Sequence, residues 1–299
     1  MPKVVVATRK SELALAQCRM FVRALQAQHP DLEVEELHVV TTGDRIVDRP
    51  LTEVGGKGLF LKEIEEALLD GAADFAVHSM KDVPPDLHPD LCIACVPERE
   101  DPRDVLISQH GEKLAELPAG ATLGTSSLRR ALQLTRARPD LTVVPLRGNV
   151  GTRIRKCREG AVQATVLARA GLVRLGLAHE ASEVLAPEQC LPAVGQGCLA
   201  IEARKSDEEL GARLRSLQDP VAAVVASVER AVLGAVEGDC RTPVAAYAEK
   251  VGDELRLRAL LANPDGTRLR TQEAAIAFAT EAASLASWAH ELGLRLKNA

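Results

Sequence analysis

The chain is poor in aromatic side chains, with one Trp, one Tyr and four Phe among 299 residues. Its core must therefore be aliphatic, and base stacking on aromatic platforms has little to work with. No apolar run reaches membrane-spanning length, and the opening stretch MPKVVVATRK has a short apolar run and no small-residue cleavage site. The seven cysteines are odd in number and follow no framework spacing, which argues against a disulfide-stapled secreted scaffold. A reducing, cytoplasmic setting is expected. The histidines show no metal-ligand spacing, and no metal is expected. Cys92 and Cys95 form a C-x-x-C, but LCIACV reads as a strand that sends them to opposite faces, with no second pair. VGGKG at 54–58 lacks the spacing of a nucleotide P-loop and reads as a turn or lid.

What the chain does have is an uneven charge. The net value is −5, yet residues 124–176 hold eleven Arg/Lys against Asp140 and Glu159, a local +9 that leaves −14 elsewhere. A basic island in an acidic protein points to a local anionic ligand. Nucleic acid would call for a more generally basic surface, and no nucleic-acid partner is expected. Arg136, Arg138, Arg155, Lys156 and Arg158 read as a solvated helix face.

Strands and helices alternate through the first two thirds. VVVAT (4–8), LEVEELHVV (32–40) and ADFAVHSM read as strands, with amphipathic helices between them and Gly71 as a stop signal. PEREDPRDV (97–105) reads as a crossing into a second α/β unit, and LPAVGQGCLAIEAR as a crossing back into a strand. A long helix, VAAVVASVERAVLGAVEG, follows Asp219-Pro220. The tail reads as three antiparallel strands (244–250, 254–262, 267–273), an NPDG hairpin and a helix over 279–296. The expected fold is α/β, with domain 1 over 1–97 and 198–217, domain 2 over 103–191, and a smaller α+β domain 3 over 220–299. Ligand sites are expected beyond the strand ends.

GTSSLRR (124–130) ends a strand and opens a helix that Ser126 or Ser127 can cap, with Arg129 and Arg130 in the first turn. Free N–H groups, hydroxyls and guanidinium forks make a carboxylate or phosphate site; an ordinary capped helix with surface arginines fits the heptapeptide equally well. PLRGNVGTR (145–153) repeats the pattern with Arg147, Gly148, Gly151 and Arg153, and Arg9 with Ser11 does so after the first strand. Three strand-end arginine sites suit a ligand with several carboxylates. In HSMKDVP (78–84), Asp82 could do acid–base work beside Lys81, although a lone Asp before Pro84 more often bonds its own turn. In VEGDCRTPVAAYA (236–248), Cys240 occupies a charged, Gly/Pro-bounded turn, an unusual place for a cysteine that by itself means no more than an exposed thiol.

HSMKDVP, GTSSLRR, LRGNVGTR and VGQG, together with VGGKGLF, EREDPRD and GDCRTPVAAYA, occur in the order found in porphobilinogen deaminases (hydroxymethylbilane synthases), and the chain resembles that family over nearly its whole length. The resemblance implies three domains, the first two like periplasmic-binding-protein lobes around a cleft and the third with a three-stranded antiparallel sheet. It implies a dipyrromethane cofactor held by a thioether at Cys240. Four porphobilinogen units would be added to it, each losing ammonia, before hydrolysis releases the linear tetrapyrrole. Asp82 matches the catalytic carboxylate, expected to stabilise the electron-poor azafulvene left by ammonia. Arg9, Ser11, Lys57, Lys81, Thr125, Ser126, Ser127, Arg129, Arg130, Arg147, Gly148, Asn149, Arg153, Arg174 and Gln196 match positions expected to bind cofactor and substrate carboxylates. A monomer is expected, with no membrane partner. A non-catalytic two-lobed anion-binding protein is the competing reading.

Overall fold

The first strand, β1 (Lys3–Arg9), is a β-branched run in which Val4 and the consecutive Val6, Ala7 and Thr8 are buried. Ser11 ends it by accepting from Ala14 N–H and so caps helix α1 (Glu12–Gln28), which buries Gln17, Cys18, Phe21 and Leu25 on one face. The computed structural model describes residues 3–45, 61–238 and 242–299. Lys57, the whole of VGGKGLF and Cys240 lie outside the described residues.

After α1 come β2 (Glu33–Val39), a short helix α2 (Thr42–Arg45), helix α3 (Lys62–Leu69), β3 (Phe75–Ser79), a single 3₁₀ turn Met80–Asp82, and β4 (Leu91–Cys95). The chain then crosses to β5 (Asp104–Ser108), β6 (Thr122–Gly124), helix α4 (Leu128–Ala137), β7 (Thr142–Val144), helix α5 (Val150–Arg158), β8 (Ala164–Ala168), helix α6 (Arg169–Arg174) and β9 (Glu183–Val184). It crosses back to β10 (Leu199–Arg204) and helix α7 (Glu208–Arg215).

Two five-stranded sheets result, in the orders β2-β1-β3-β10-β4 and β7-β6-β8-β5-β9. In the first, β1 runs parallel to β2 and β3, and β10 runs antiparallel to both its neighbours. In the second, β6 runs parallel to β7 and β8, while β5 is antiparallel to β8 and β9. Each sheet thus has a parallel part, whose carboxyl ends can face a ligand, and an antiparallel strand that enters directly from a crossing segment.

Helix α8 (Pro220–Val236) starts from Asp219, whose Oδ1 accepts from Ala222 N–H at 2.6 Å, with Pro220 in the first turn. Its many valines favour a helix only weakly, so tertiary packing must hold it. Val224, Val225, Val228, Val232 and Val236 are buried in the core shared with β11 (Val244–Val251), β12 (Glu254–Leu261) and helix α9 (Ala282–Asn298). The third strand of this antiparallel sheet, β13, covers Arg270–Ala277. It starts three residues later than the sequence pattern suggests. Asn263 N–H donates to Thr267 O and Gly266 N–H to Asn263 O, and these turn bonds take up the residues assigned to the strand's start. Among the described residues, no helix is long and apolar enough to cross a membrane.

Candidate active site

Asp82 stands at the carboxyl end of β3, in the turn closed by Val83 N–H donating to Met80 O at 3.0 Å. Its side chain is exposed at the mouth of a pocket lined by Arg9, Ser11, Gln17, His78, Ser79 and apolar residues that include Leu61 and Val77. Beneath that mouth, the Gln17 amide and the Ser79 hydroxyl bond each other, and His78 Nε2 lies 3.0 Å from Glu202 Oε2. Gln17 and Glu202 carried no sequence signal, and His78, although it opens HSMKDVP, had no role read for it.

Arg9, at the end of β1, is gripped by Asp44, which accepts from Nε at 3.1 and 3.2 Å and from Nη2. Asp44 also accepts from the Thr41 amide and hydroxyl. Burial works against its charge, yet Arg9 and Thr41 together hold its carboxyl below the usual range. Arg9 is therefore pre-aimed, and its pull on any second carboxylate is shared. Ser11 accepts from Ala14 N–H at 3.3 Å while it lines the same pocket.

In the second sheet the cap of GTSSLRR is Ser127, which accepts from Arg130 N–H. Thr125 is buried and accepts from Ser127 N–H at 3.1 Å, whereas Ser126 is exposed and donates to Leu146 O at 3.2 Å. Arg129 and Arg130 are not surface arginines; each is 6% exposed. Between them lies Asp104, wholly buried, 2.8 Å from Arg129 Nη1 and 2.7 Å from Arg130 Nη2. Arg129 also donates to Leu191 O and Arg130 to Val166 O. Burial opposes the Asp104 charge, but the two guanidiniums outweigh it and keep the carboxyl well below its normal range. Gln196 lies in the same buried cluster, its amide donating to Asp104 at 2.9 Å and to Pro102 O at 2.6 Å. As described, Gln196 braces the arginines rather than facing the cleft. Asp104 closes EREDPRD, a segment legible only as a crossing, and no role could be read for it there.

Arg147 follows β7, and Gly148 after it has φ +126°, where an added Cβ would meet Thr152 Cγ2 at 2.7 Å. Glycine there lets Asn149 cap α5 by accepting from Thr152 N–H at 2.8 Å. Arg153 Nε donates to Gly148 O at 2.7 Å. Burial pushes the Arg153 guanidinium down to about 10, and Arg130 and Arg147 nearby push the same way. Lys81, from the other sheet, is likewise pushed down to about 8, first by its crowded setting and then by Arg130. Asp82 and Asp104 oppose that shift. Lys81 is solvent-accessible, so water softens the effect, but the direction stands. The cations of both sheets converge on one space and repel one another.

Arg174, at the end of α6, reaches the crossing segment, donating from Nη2 to Gly197 O at 2.6 Å. Its Nε is buried without a hydrogen-bond partner, and burial lowers its pKa. Gly197 has φ +92°, and a Cβ there would fall 2.3 Å from Glu100 O, so the two crossings touch through bare backbone. Of the arginines read as a solvated face, Arg138 pairs with Asp140 and Arg158 with Glu180.

Arg99 joins both crossings to α8. It donates to Glu229 at 2.8 and 3.2 Å, and to the carbonyls of Gln196 and Ala248. Glu229, fully buried, also accepts from Gly195 N–H and Ala248 N–H. Among the described residues no group of His, Cys, Asp and Glu is arranged to hold a metal ion.

The chain matches the family model "Porphobilinogen deaminase, dipyromethane cofactor binding domain" over residues 4–212 and "Porphobilinogen deaminase, C-terminal domain" over 223–298. A porphobilinogen deaminase of Sorangium cellulosum is 56% identical over 295 residues, 99% of this chain and 98% of its own length. One from Bacillus subtilis is 50% identical over 268 residues, 89% of this chain and 85% of its own. Among solved structures, the BvgS VFT2 domain of Bordetella pertussis aligns with a TM-score of 0.46 at 18% identity, covering 76% of this chain and 93% of that one. With two family models side by side and more than half of all residues shared across almost the entire length of a relative, the chain belongs to the porphobilinogen deaminase family.

Proposed function

We propose that Asp82 is the catalytic carboxylate of this deaminase, that Cys240 carries the dipyrromethane cofactor, and that the cations around the cleft bind the carboxylates of cofactor and substrate. The reaction joins four porphobilinogen units head to tail with loss of ammonia at each addition, and hydrolysis then frees the linear hydroxymethylbilane. The observation that carries the assignment is the surplus of positive charge, with Lys81 and Arg153 both pushed down by neighbouring cations as well as by crowding. Such a cleft gains by admitting anions, because each carboxylate supplies a counter-charge that offsets the cost of the buried cations and their mutual repulsion. Pyrroles bearing acetate and propionate chains fit that need. When bound, dipyrromethane supplies the electron-rich pyrrole carbon from which the chain grows.

Each residue then has a task. Lys81, Arg147 and Arg153 draw in the acid side chains; Arg129 and Arg130, braced by Asp104 and Gln196, extend the positive field from beneath. Arg9, Ser11, Ser126, Ser127, Thr125, Gly148, Asn149, Lys57 and Arg174 complete the binding surface or its backbone. As ammonia departs, positive charge spreads over the substrate ring and its nitrogen. A carboxylate at the pocket mouth stabilises that charge and can exchange protons with the pyrrole N–H.

Intact mass tests the attachment. The purified protein should exceed its sequence mass by two pyrrole units, and Cys240→Ser should lose that excess together with activity. An unmodified, fully active protein sinks the role of Cys240. Asp82→Asn should retain the added mass while turnover falls ~10²–10⁴-fold, the usual scale for loss of an acid–base group.

A further inference from the structure

Helix α8 carries only two charged residues along Pro220–Val236, the adjacent Glu229 and Arg230. Glu229 is occupied by Arg99 and two backbone amides. Arg230 reaches a different target, the loop directly after Asp82. Its Nη1 donates to Val83 O at 3.2 Å, and its Nη2 donates to Pro84 O at 2.9 Å and Pro85 O at 3.0 Å. Three consecutive carbonyls therefore end on one guanidinium from a helix that forms part of another core.

The local sequence explains why a donor must come from outside. Pro84 and Pro85 have no N–H and a fixed φ, so this stretch cannot knit its own turn. A guanidinium presents several donors in a rigid plane, and one arginine can hold carbonyls that a lysine could meet only one or two at a time. The Asp82 turn is also tied upstream, where Met80 N–H donates to Cys198 O at 3.0 Å. Val83 is buried against Ala222 and Ala226 of the same α8. The carboxylate thus sits on a short arch with Cys198, just before β10, holding one foot and Arg230 the other.

We propose that Arg230 is a positioning residue for Asp82, holding residues 83–85 so that the carboxylate keeps its place at the pocket mouth. This rests on the reading of Asp82 as the catalytic carboxylate. Arg230 does not touch substrate; it acts through the loop. Removing it loosens the arch, which lowers the fraction of time Asp82 spends in productive geometry and leaves the cation wall that binds substrate unchanged.

The test uses the full-length, cofactor-loaded enzyme with Arg230→Met, which keeps an unbranched apolar stem, and Arg230→Lys, which keeps charge and a smaller set of donors. Cofactor loading is read by intact mass, and kcat and KM for porphobilinogen are measured alone and in an Asp82→Asn background. For Arg230→Met, kcat should fall ~10–10²-fold, the penalty for small misplacement of a reacting group. KM should stay within about threefold, with Arg230→Lys intermediate in kcat. In the Asp82→Asn background the same substitution should cost less than about twofold, because the group it positions is gone. Unchanged kcat in both variants overturns the proposal, and so does a loss that multiplies in full on Asp82→Asn, since that marks a general structural effect. Should Arg230→Met fail to accumulate as folded protein, Arg230→Lys is judged by the same criteria. Near-normal turnover of Asp82→Asn alone is a separate result; it removes the catalytic reading of Asp82 and with it the object of the positioning.

Discussion

Asp104 has no contact with solvent and sits between two guanidiniums. Asp104→Asn would leave both cations buried with no counter-charge, and stability should drop by about 3–5 kcal/mol, as when one partner of a buried pair is removed. Urea unfolding measures this directly. The pH dependence follows from the same bonds. The folded carboxyl titrates below the unfolded value of about 3.9, so its contribution is complete above that pH and fades as acid drives the pH toward the folded pKa. Lys81 behaves in the opposite sense. Pushed down toward about 8, it is fully charged only well below that pH and loses its charge as the pH rises, so kcat/KM for an anionic substrate should decline at alkaline pH, earlier than for an ordinary lysine. Lys81→Arg should move that decline to higher pH in a pH–rate profile of the cofactor-loaded enzyme. The strand-end arginines stood out as candidate anion binders because their neighbours are turn and cap residues, whereas the local pattern around Asp82 favoured a turn aspartate and only the family resemblance singled it out. Asp104, Gln17 and Glu202 did not stand out, because a buried polar partner chosen by a distant strand leaves no local pattern.

At the scale of the element, caps carry much of the architecture. Ser11, Ser127, Asn149 and Asp219 each accept from a first-turn amide, and three of these helices open directly behind a candidate binding residue. Asp219→Ala should cost about 0.5–2 kcal/mol, seen as a lowered urea midpoint with the cofactor still attached. Turn residues and apolar periodicity announced most helices and strands in advance. The late start of β13 was missed because its mostly polar and small residues, RTQEAAIA, leave its register to β12 rather than to its own pattern. Helix α8 was visible as a helix, but its work was not. Its lone Glu-Arg pair in an apolar run was the available clue, since charges there need named partners.

Across the whole molecule, the Arg99–Glu229 pair ties the two crossings to α8 and β11. Glu229→Gln keeps the shape but removes the counter-charge of a buried guanidinium, and a loss of about 3–5 kcal/mol is expected. Urea melts followed by tryptophan fluorescence and by circular dichroism should shift together if the junction serves every layer. The alternation of strands and helices, followed by an antiparallel tail, was readable as two α/β units and a smaller antiparallel sheet, and three such sheets are present. The return of the chain to the first unit was readable in LPAVGQGCLAIEAR, but the strand order was not, since nothing local to β10 says that it enters between β3 and β4. Family membership also sets aside the reading of a non-catalytic anion-binding protein, which periodicity alone left open.

That placement of β10 has a consequence for birth on the ribosome. Leu199 pairs with Ser79, and β10 lies between β3 and β4, so the first sheet is incomplete until some two hundred residues have been synthesised. The second sheet, drawn wholly from residues 104–184, can close while the first still waits with β3 and β4 unbridged. The nascent chain thus finishes its middle before its beginning, and the strand that completes the first sheet arrives through the same crossing that carries Gly195, Gln196 and Gly197. Non-local pairing of this kind is slow to form and leaves strand edges open meanwhile.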